Sequence, residues 1–170
     1  GQGVTLTELI EEVGRHAARY FFIMRSLDSQ LDFDLDLAKS HSNDNPVYYV
    51  QYAHARITSI HRQMAEAGIT FDRGAKADLS RLSTAFELDL IRKLGDYPAE
   101  IAAAARDRAP HRIARYAHEL AGLFHSFYNG CRVLGVEAEL TAARLALIAA
   151  TQQVLRHSLG ILGVAAPEKM

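Results

Sequence analysis

Apolar residues recur three and four apart along most of this chain, the period of helices that bury one side. From Asn45 to Ala67, the residues Val50, Ala53, Ile57, Ile60 and Met64 form one apolar seam, and Pro46 suits a first helical position. A further helix is predicted through Leu79, Leu82, Phe86, Leu90 and Leu94, ending at Gly95 before Tyr97-Pro98, and the Ala-rich stretch 98–108 favours helix again. Pro110 opens the next helix, with Ile113, Ala117, Leu120, Phe124, Phe127 and Cys131 as its buried seam. The last helix is predicted from about Glu137 to Leu159, roughly 35 Å at 1.5 Å per residue. Leu140, Leu147 and Val154, with Ala143, Ile148, Leu155 and Leu162 beside them, point it into a bundle.

The N-terminal part carries shorter signals. Residues 5–14 read as a helix with Thr5 as cap, Glu8 three positions on and Gly14 as stop. Residues 15–25 are mostly of buried type and predict a second short helix. Leu31 to Leu37 alternates apolar residues with Asp32, Asp34 and Asp36, which predicts an extended, strand-like piece with one wet face. A calcium loop would need Gly and Glu where Leu37 and Asn43 stand, so the aspartates are assigned to that solvated face. The stretch 68–78 reads as a loop by composition. The fold class expected is all-α: a helical bundle preceded by a small helical and extended connecting element.

Composition narrows the function classes. Hydrophobic residues make up 49% and charged residues 23%, so the chain buries a core and is not a disordered tail. The net charge of -1 hides an asymmetry, because residues 1–100 carry 11 Lys and Arg against 15 Asp and Glu. The remaining 70 residues are therefore net basic, and the chain is not a sequence-blind polyanion binder. This leaves room for a partner read by shape and by bases, with modest charge on one side. The longest clean apolar run in the last helix, Leu145 to Ala150, is far short of the ~20 residues a membrane span needs. No signal peptide is expected at the start, and the single Cys131 suits a reducing cytoplasm.

Most chemistry-bearing patterns are absent. His111, His118 and His125 are spaced by seven, as are His54 and His61, which is ~10 Å along a helix and too far to share one zinc. Surface or half-buried histidines are expected instead, with no metal site. Cys131 lies in an apolar seam and is expected to be an inert thiol. No nucleophile elbow or phosphate-cradling glycine loop occurs, and no carboxylate pair is spaced as an acid–base site, so no catalytic residue is assigned. Tyr49, Tyr52 and Arg56 differ in kind, since they form an aromatic-polar stripe beside the seam. Tyr128 and Arg132, four apart, share a rim of the later helix. Rings beside guanidinium groups match unstacked RNA bases, each of which offers a π-face. The bland alternative is that these tyrosines line the edge of the core with their hydroxyls in water.

Asn45-Pro46-Val47-Tyr48-Tyr49-Val50-Gln51-Tyr52-Ala53-His54-Ala55-Arg56 resembles a segment specific to bacterial-type arginyl-tRNA synthetases. Val4-Thr5-Leu6 leading into Leu9 to Gly14, Ala17 to Phe22, Leu31 to Asp34, Ala143 to Leu147, and Leu162 through Met170 resemble the same family in the same order. The resemblance covers essentially the whole chain. It implies a connecting element over 1–43, following a class I catalytic domain, and a helical anticodon-binding domain over 44–170. It also implies a parent reaction, the ATP-dependent joining of arginine to its tRNA, with ATP and Mg as cofactors of the full enzyme. The family's ATP-site signatures are not found here, so this segment alone is expected to be catalytically inactive and to hold no cofactor. The implied partners are the anticodon arm of arginine tRNA and the catalytic domain of the same enzyme, in a cytoplasmic monomer with no membrane contact. Carried over from the family, Tyr128 is a stacking ring and Met170 an apolar contact to the anticodon loop. At Arg132 some relatives carry a stacking tryptophan. Arg108, Arg112 and Arg115 are expected to touch phosphates, and the loop 68–78 to approach the anticodon arm. The rival reading is a free-standing helical module that binds other proteins.

Overall fold

A computed structural model describes residues 3–69, 71–72 and 76–170. Among them there are seven α-helices and no strand: α1 (Leu6–Val13), α2 (Arg15–Ile23), α3 (Leu35–Lys39), α4 (Pro46–Glu66), α5 (Ala85–Arg106), α6 (His111–Gly130) and α7 (Ala138–Leu162). The helices α4, α6 and α7 pack on one another, α5 packs along α6 and α7, and α2 joins the small N-terminal group to the bundle. Their shared core holds Val50, Ala53 and Ile57 of α4, Leu90 of α5, Leu120, Phe124 and Phe127 of α6, and Ile148, Leu155 and Leu159 of α7, none of them reached by solvent. The all-α expectation is met. No described helix is long and apolar enough to cross a membrane.

Local chemistry explains where the helices begin. Thr5 and Glu8 form a reciprocal capping box at α1. Asn45 is buried: its side-chain oxygen accepts from the Val47 N–H, while its amide donates to the carbonyls of Ala38 (3.2 Å) and Ser40 (2.9 Å). It thus caps α4 and ties it to the end of α3, with Pro46 at the position where a missing N–H costs nothing. Tyr20 of α2 donates its hydroxyl to the Ala114 carbonyl of α6 at 3.1 Å, which seats the N-terminal group on the bundle. The long α7 ends at Gly163, whose φ of 70° and whose closeness to Arg19 (2.5 Å from where a Cβ would lie) both call for glycine.

Three expectations need correction. The strand-like reading of 31–37 is not met: no strand forms there, and Asp34, whose backbone is extended, caps the five-residue α3 by accepting from the Leu37 N–H at 2.9 Å. Asp32, Asp34 and Asp36 are exposed as expected, while Phe33 packs on Phe21 and Phe22. The helix predicted from Leu79 starts instead at Ala85, because Thr84 and Glu87 form a capping box there. Leu79 sits in a single 3₁₀ turn (Leu79–Arg81), and both Leu79 and Phe86 are exposed rather than inside. Gly95 and Pro98 do not stop α5, which runs through to Arg106. A proline inside a helix removes one hydrogen bond, at a cost of ~3 kcal/mol, and packing of α5 along α6 and α7 outweighs it. The loop expected over 68–78 falls partly outside the described residues, at Thr70 and 73–75, as do Gly1 and Gln2 of the chain start.

Candidate nucleic-acid interface

Residues four apart on α4 stand above one another, and on one flank they are planar. Tyr48 and Tyr52 stack with centroids 5.7 Å apart and planes at 9°. His41, ahead of the helix, stacks on Tyr48 at 5.6 Å and 10°. Arg56 continues the row: its Nη2 donates to the Tyr52 hydroxyl at 2.7 Å, and its guanidinium carbon lies 4.9 Å from the Tyr52 centroid. The same carbon lies 4.4 Å from the centroid of Tyr128, near the end of α6. A guanidinium group over ring faces is held by the ring quadrupole, and its plane can itself act as a stacking plate. The result is a continuous row, His41–Tyr48–Tyr52–Arg56–Tyr128, partly or fully open to solvent.

Behind that row lies a second one. Tyr49 meets His118 at 5.0 Å and His125 at 4.7 Å, and His125 reaches Tyr52 at 6.0 Å. Burial pushes the His125 pKa below 6.5, the Arg56 charge adds to this, and a hydrogen bond involving the Tyr49 backbone offsets part of it. His125 is therefore a neutral plate near pH 7, and it supports the front row without adding a second positive charge beside Arg56.

Past Tyr128 the chain turns out of α6 and encloses a cleft of about 410 Å³. Its walls are Ile60, Gln63 and Met64 of α4 and the segment Tyr128 to Leu134. Tyr128 is 37% exposed and Arg132 is exposed, so the structure brings this predicted pair to one cleft. Tyr52 and Arg56 join them through the contacts above. None of these rings is sealed in the core; Tyr49 and Tyr52 are half-buried at its edge, where the bland alternative also puts them, and Tyr128 is exposed.

The other predicted residues lie elsewhere. Arg112 is half-buried and paired with Glu100 (3.3 Å) and Asp107 (3.5 Å), so its charge is already matched. Arg115 is exposed and lines a polar cleft with Lys93 and Glu119. Arg108 is exposed in the turn between α5 and α6, with a φ of 51°. Sixteen residues of α6 separate Arg112 from Tyr128, about 24 Å along the helix. The three arginines therefore form a patch apart from the aromatic row. Met170 is 51% exposed and ends a tail fastened to another flank of α4. Gln51 donates to the Ala165 carbonyl at 2.9 Å, and His54 Nδ1 bonds the Pro167 carbonyl at 2.8 Å. His54 stands about 160° around the helix from Tyr52 and Arg56, and Gln51 about 60° from Tyr48, so the tail runs along a different flank of α4 from the aromatic row.

His54 also corrects the expectation of surface or half-buried histidines, since it is fully buried. Arg156 Nε donates to its Nε2 at 3.3 Å, so the proton sits on Nδ1 and the ring is neutral. Sequence reasoning missed His41, Tyr48 and His125. The spacing of Tyr48 and Tyr52 was a usable signal, whereas the reach of His41 and His125 onto that row depends on how α6 and the N-terminal group pack against α4. Among the described residues no group of three His, Cys, Asp or Glu is arranged to hold a metal ion.

Residues 50–170 match the model of the DALR anticodon binding domain. The chain belongs to this family. The two long helices that build the aromatic row and its cleft, α4 and α6, fall within the matched range except for the first turn of α4, which lies just ahead of it. Over its full 170 residues the DALR chain is 61% identical to the arginine–tRNA ligase of Carboxydothermus hydrogenoformans, of which it spans 30%. A solved chain from Campylobacter jejuni superposes with a TM-score of 0.88 at 32% identity, covering all of the DALR chain and 36% of its own length. The arginyl-tRNA synthetase of Thermus thermophilus gives 0.78 at 32% identity, with 99% of the DALR chain and 28% of the synthetase covered. The chain thus spans about a third of the length of the relatives it matches.

Proposed function

We propose that this DALR domain grips the anticodon arm of an arginine tRNA, as one part of an arginine–tRNA ligase. The observation that carries the reading is the row of plates from His41 to Tyr128, with Arg56 between two rings and the exposed Arg132 lining the same cleft as Tyr128. Bases unstacked in an RNA hairpin loop need such faces, and one guanidinium group supplies charge without a broad basic field. Tyr128 is covered by Arg56 and offers the rest of its surface as the next stacking position. Arg132 is assigned a phosphate or base contact beside it. Arg108 and Arg115 are assigned phosphates farther along the arm, while Arg112, already paired, has a lesser share.

Joining arginine to the tRNA, and binding ATP and Mg, are assigned to the rest of that longer protein. Holding the anticodon arm would fix the acceptor end at a distant reaction site, a positioning effect. The open apolar face of α1 and α2, where Leu6, Ile10 and Phe22 line a cleft of about 670 Å³ with Arg15 and Arg19, suits docking against the catalytic part. The assembly is proposed to act as a cytoplasmic monomer. Filter binding of the purified chain with arginine tRNA and with an anticodon-mutated copy tests the reading. Preferential retention of the arginine tRNA is expected; equal retention of both, or of neither, overturns it.

A further inference from the structure

Glu87 is completely buried in the first turn of α5. Its Oε2 accepts from the backbone N–H groups of Ser83 (3.0 Å) and Thr84 (2.8 Å) and from the Thr84 hydroxyl (2.8 Å). Its Oε1 accepts from Arg144 Nε of α7 at 2.6 Å. Burial alone would raise the Glu87 pKa, but the Thr84 N–H and the Arg144 guanidinium outweigh it and leave the carboxyl below the usual range. The group stays charged. Arg144 is itself buried, and its Nη1 donates to the backbone carbonyl of Arg132. One residue on, the Val133 carbonyl accepts from the Thr141 hydroxyl of α7 at 3.0 Å. The Cys131 sulfur lies 3.6 Å from the Thr84 hydroxyl.

A buried ion pair is a poor source of net stability, because apolar residues of the same volume serve as well or better. Its distinctive property is direction: a bridging guanidinium holds one carbonyl in one place, where an apolar contact lets a loop slide. Here the carbonyl held is that of Arg132. The pair sits where the start of α5, the end of α6 and the second turn of α7 meet, directly behind the wall of the cleft.

We infer that Glu87 and Arg144 are positioning residues for the RNA-reading rim: by holding the Arg132 carbonyl from behind, they set the direction in which Arg132 and the end of α6 face the bound RNA. This rests on the cleft being a nucleic-acid interface, although the order of the loop is measurable without RNA. Neither residue touches the RNA itself.

Two variants separate positioning from stability. Arg144→Lys keeps a charge opposite Glu87 but lacks the fork that spans to Arg132. The double variant Glu87→Gln/Arg144→Met keeps a capping oxygen for Thr84 and leaves no buried charge unpaired. Both are expected to melt cooperatively near the parent temperature, while the Cys131 amide, which donates to the Phe127 carbonyl at the end of α6 beside the held loop, exchanges hydrogen about tenfold faster. Affinity for an anticodon-arm RNA hairpin should fall about tenfold, within the coupling range of residues in one network. In an Arg132→Ala background the same changes should cost no further affinity. Unchanged loop exchange in a folded variant overturns the inference, as does an affinity loss of equal size with and without Arg132. A parent chain that holds arginine and non-arginine hairpins alike removes the anticodon reading instead, and the exchange data then decide the role of the pair alone.

Discussion

The guanidinium carbon of Arg56 lies 4.4 Å from the centroid of the Tyr128 ring, and that one contact joins the aromatic flank of α4 to the cleft at the end of α6. Arg56 is held on its other side by the Tyr52 hydroxyl, so its plane is set before any ligand arrives. Orientation established in the free protein is entropy that binding does not have to remove.

Tyr128→Ala should weaken binding of arginine tRNA by about 1–3 kcal/mol, the range for a lost base stack. Helicity by circular dichroism should be unchanged, because the ring is more than one-third exposed. A melted variant would show that Tyr128 acts as a core residue.

Arg56→Lys keeps the charge and loses the planar fork. It should lower stability by about 0.5–1 kcal/mol through the lost ring contacts. It should also weaken RNA binding while leaving the dependence of affinity on salt unchanged, since no phosphate contact is removed. Titrations at several salt concentrations check this. A slope reduced by about one would mean that Arg56 neutralises a phosphate.

Acidification should destabilise the fold. Burial is the largest cause holding His54 below its ordinary value of 6.5, with the Arg156 charge adding to it and the Pro167 carbonyl opposing. His125 is shifted in the same direction. The unfolded chain therefore binds protons near pH 6.5 that the folded chain refuses. Stability is full above that value and falls as pH drops from it through the folded pKa. Melting temperatures should decline as pH drops below about 6.5, and His125→Phe, which keeps a ring and removes a proton site, should flatten part of the decline. A flat or rising profile would contradict the neutral state of both rings.

Gly130 ends α6 under the ring of Phe86, and an added Cβ would lie 2.5 Å from that ring. Phe86 is itself exposed and can swing away, so Gly130→Ala sets helix preference against a displaced ring. The substitution should stabilise by about 0.5–1 kcal/mol in a Phe86→Ala background and by clearly less in the parent. Chemical denaturation of the four combinations measures the difference. Equal effects in both backgrounds would show that the ring is not packed on the glycine.

Several elements were legible because their causes are local. Thr5 with Glu8, and Asn45 before Pro46, announce helix starts through side chains that reach only three residues or fewer. The seam through Val50, Ala53, Ile57, Ile60 and Met64 follows from the helical period. Thr84 and Glu87 carried an equally clear capping box, and it was obscured by extending the apolar pattern back to Leu79. Gly95 and Pro98 misled for a different reason: their local penalties were real, and contacts from α6 and α7 overrode them.

The chain's own pattern determined an all-helical protein, the order of its elements and the existence of rings and guanidinium groups near the core's edge. Spacing along a helix is a fixed geometric rule, so neighbours such as Tyr52 and Arg56 can be paired without coordinates. Tertiary structure alone decided that Arg56 lies against Tyr128, that Glu87 meets Arg144 behind Arg132, that Arg112 is already paired, and that the tail to Met170 is fastened to a different flank of α4. Those contacts depend on how far each helix slides and turns against its neighbours. That is settled by packing of the whole core, which no single stretch of residues encodes.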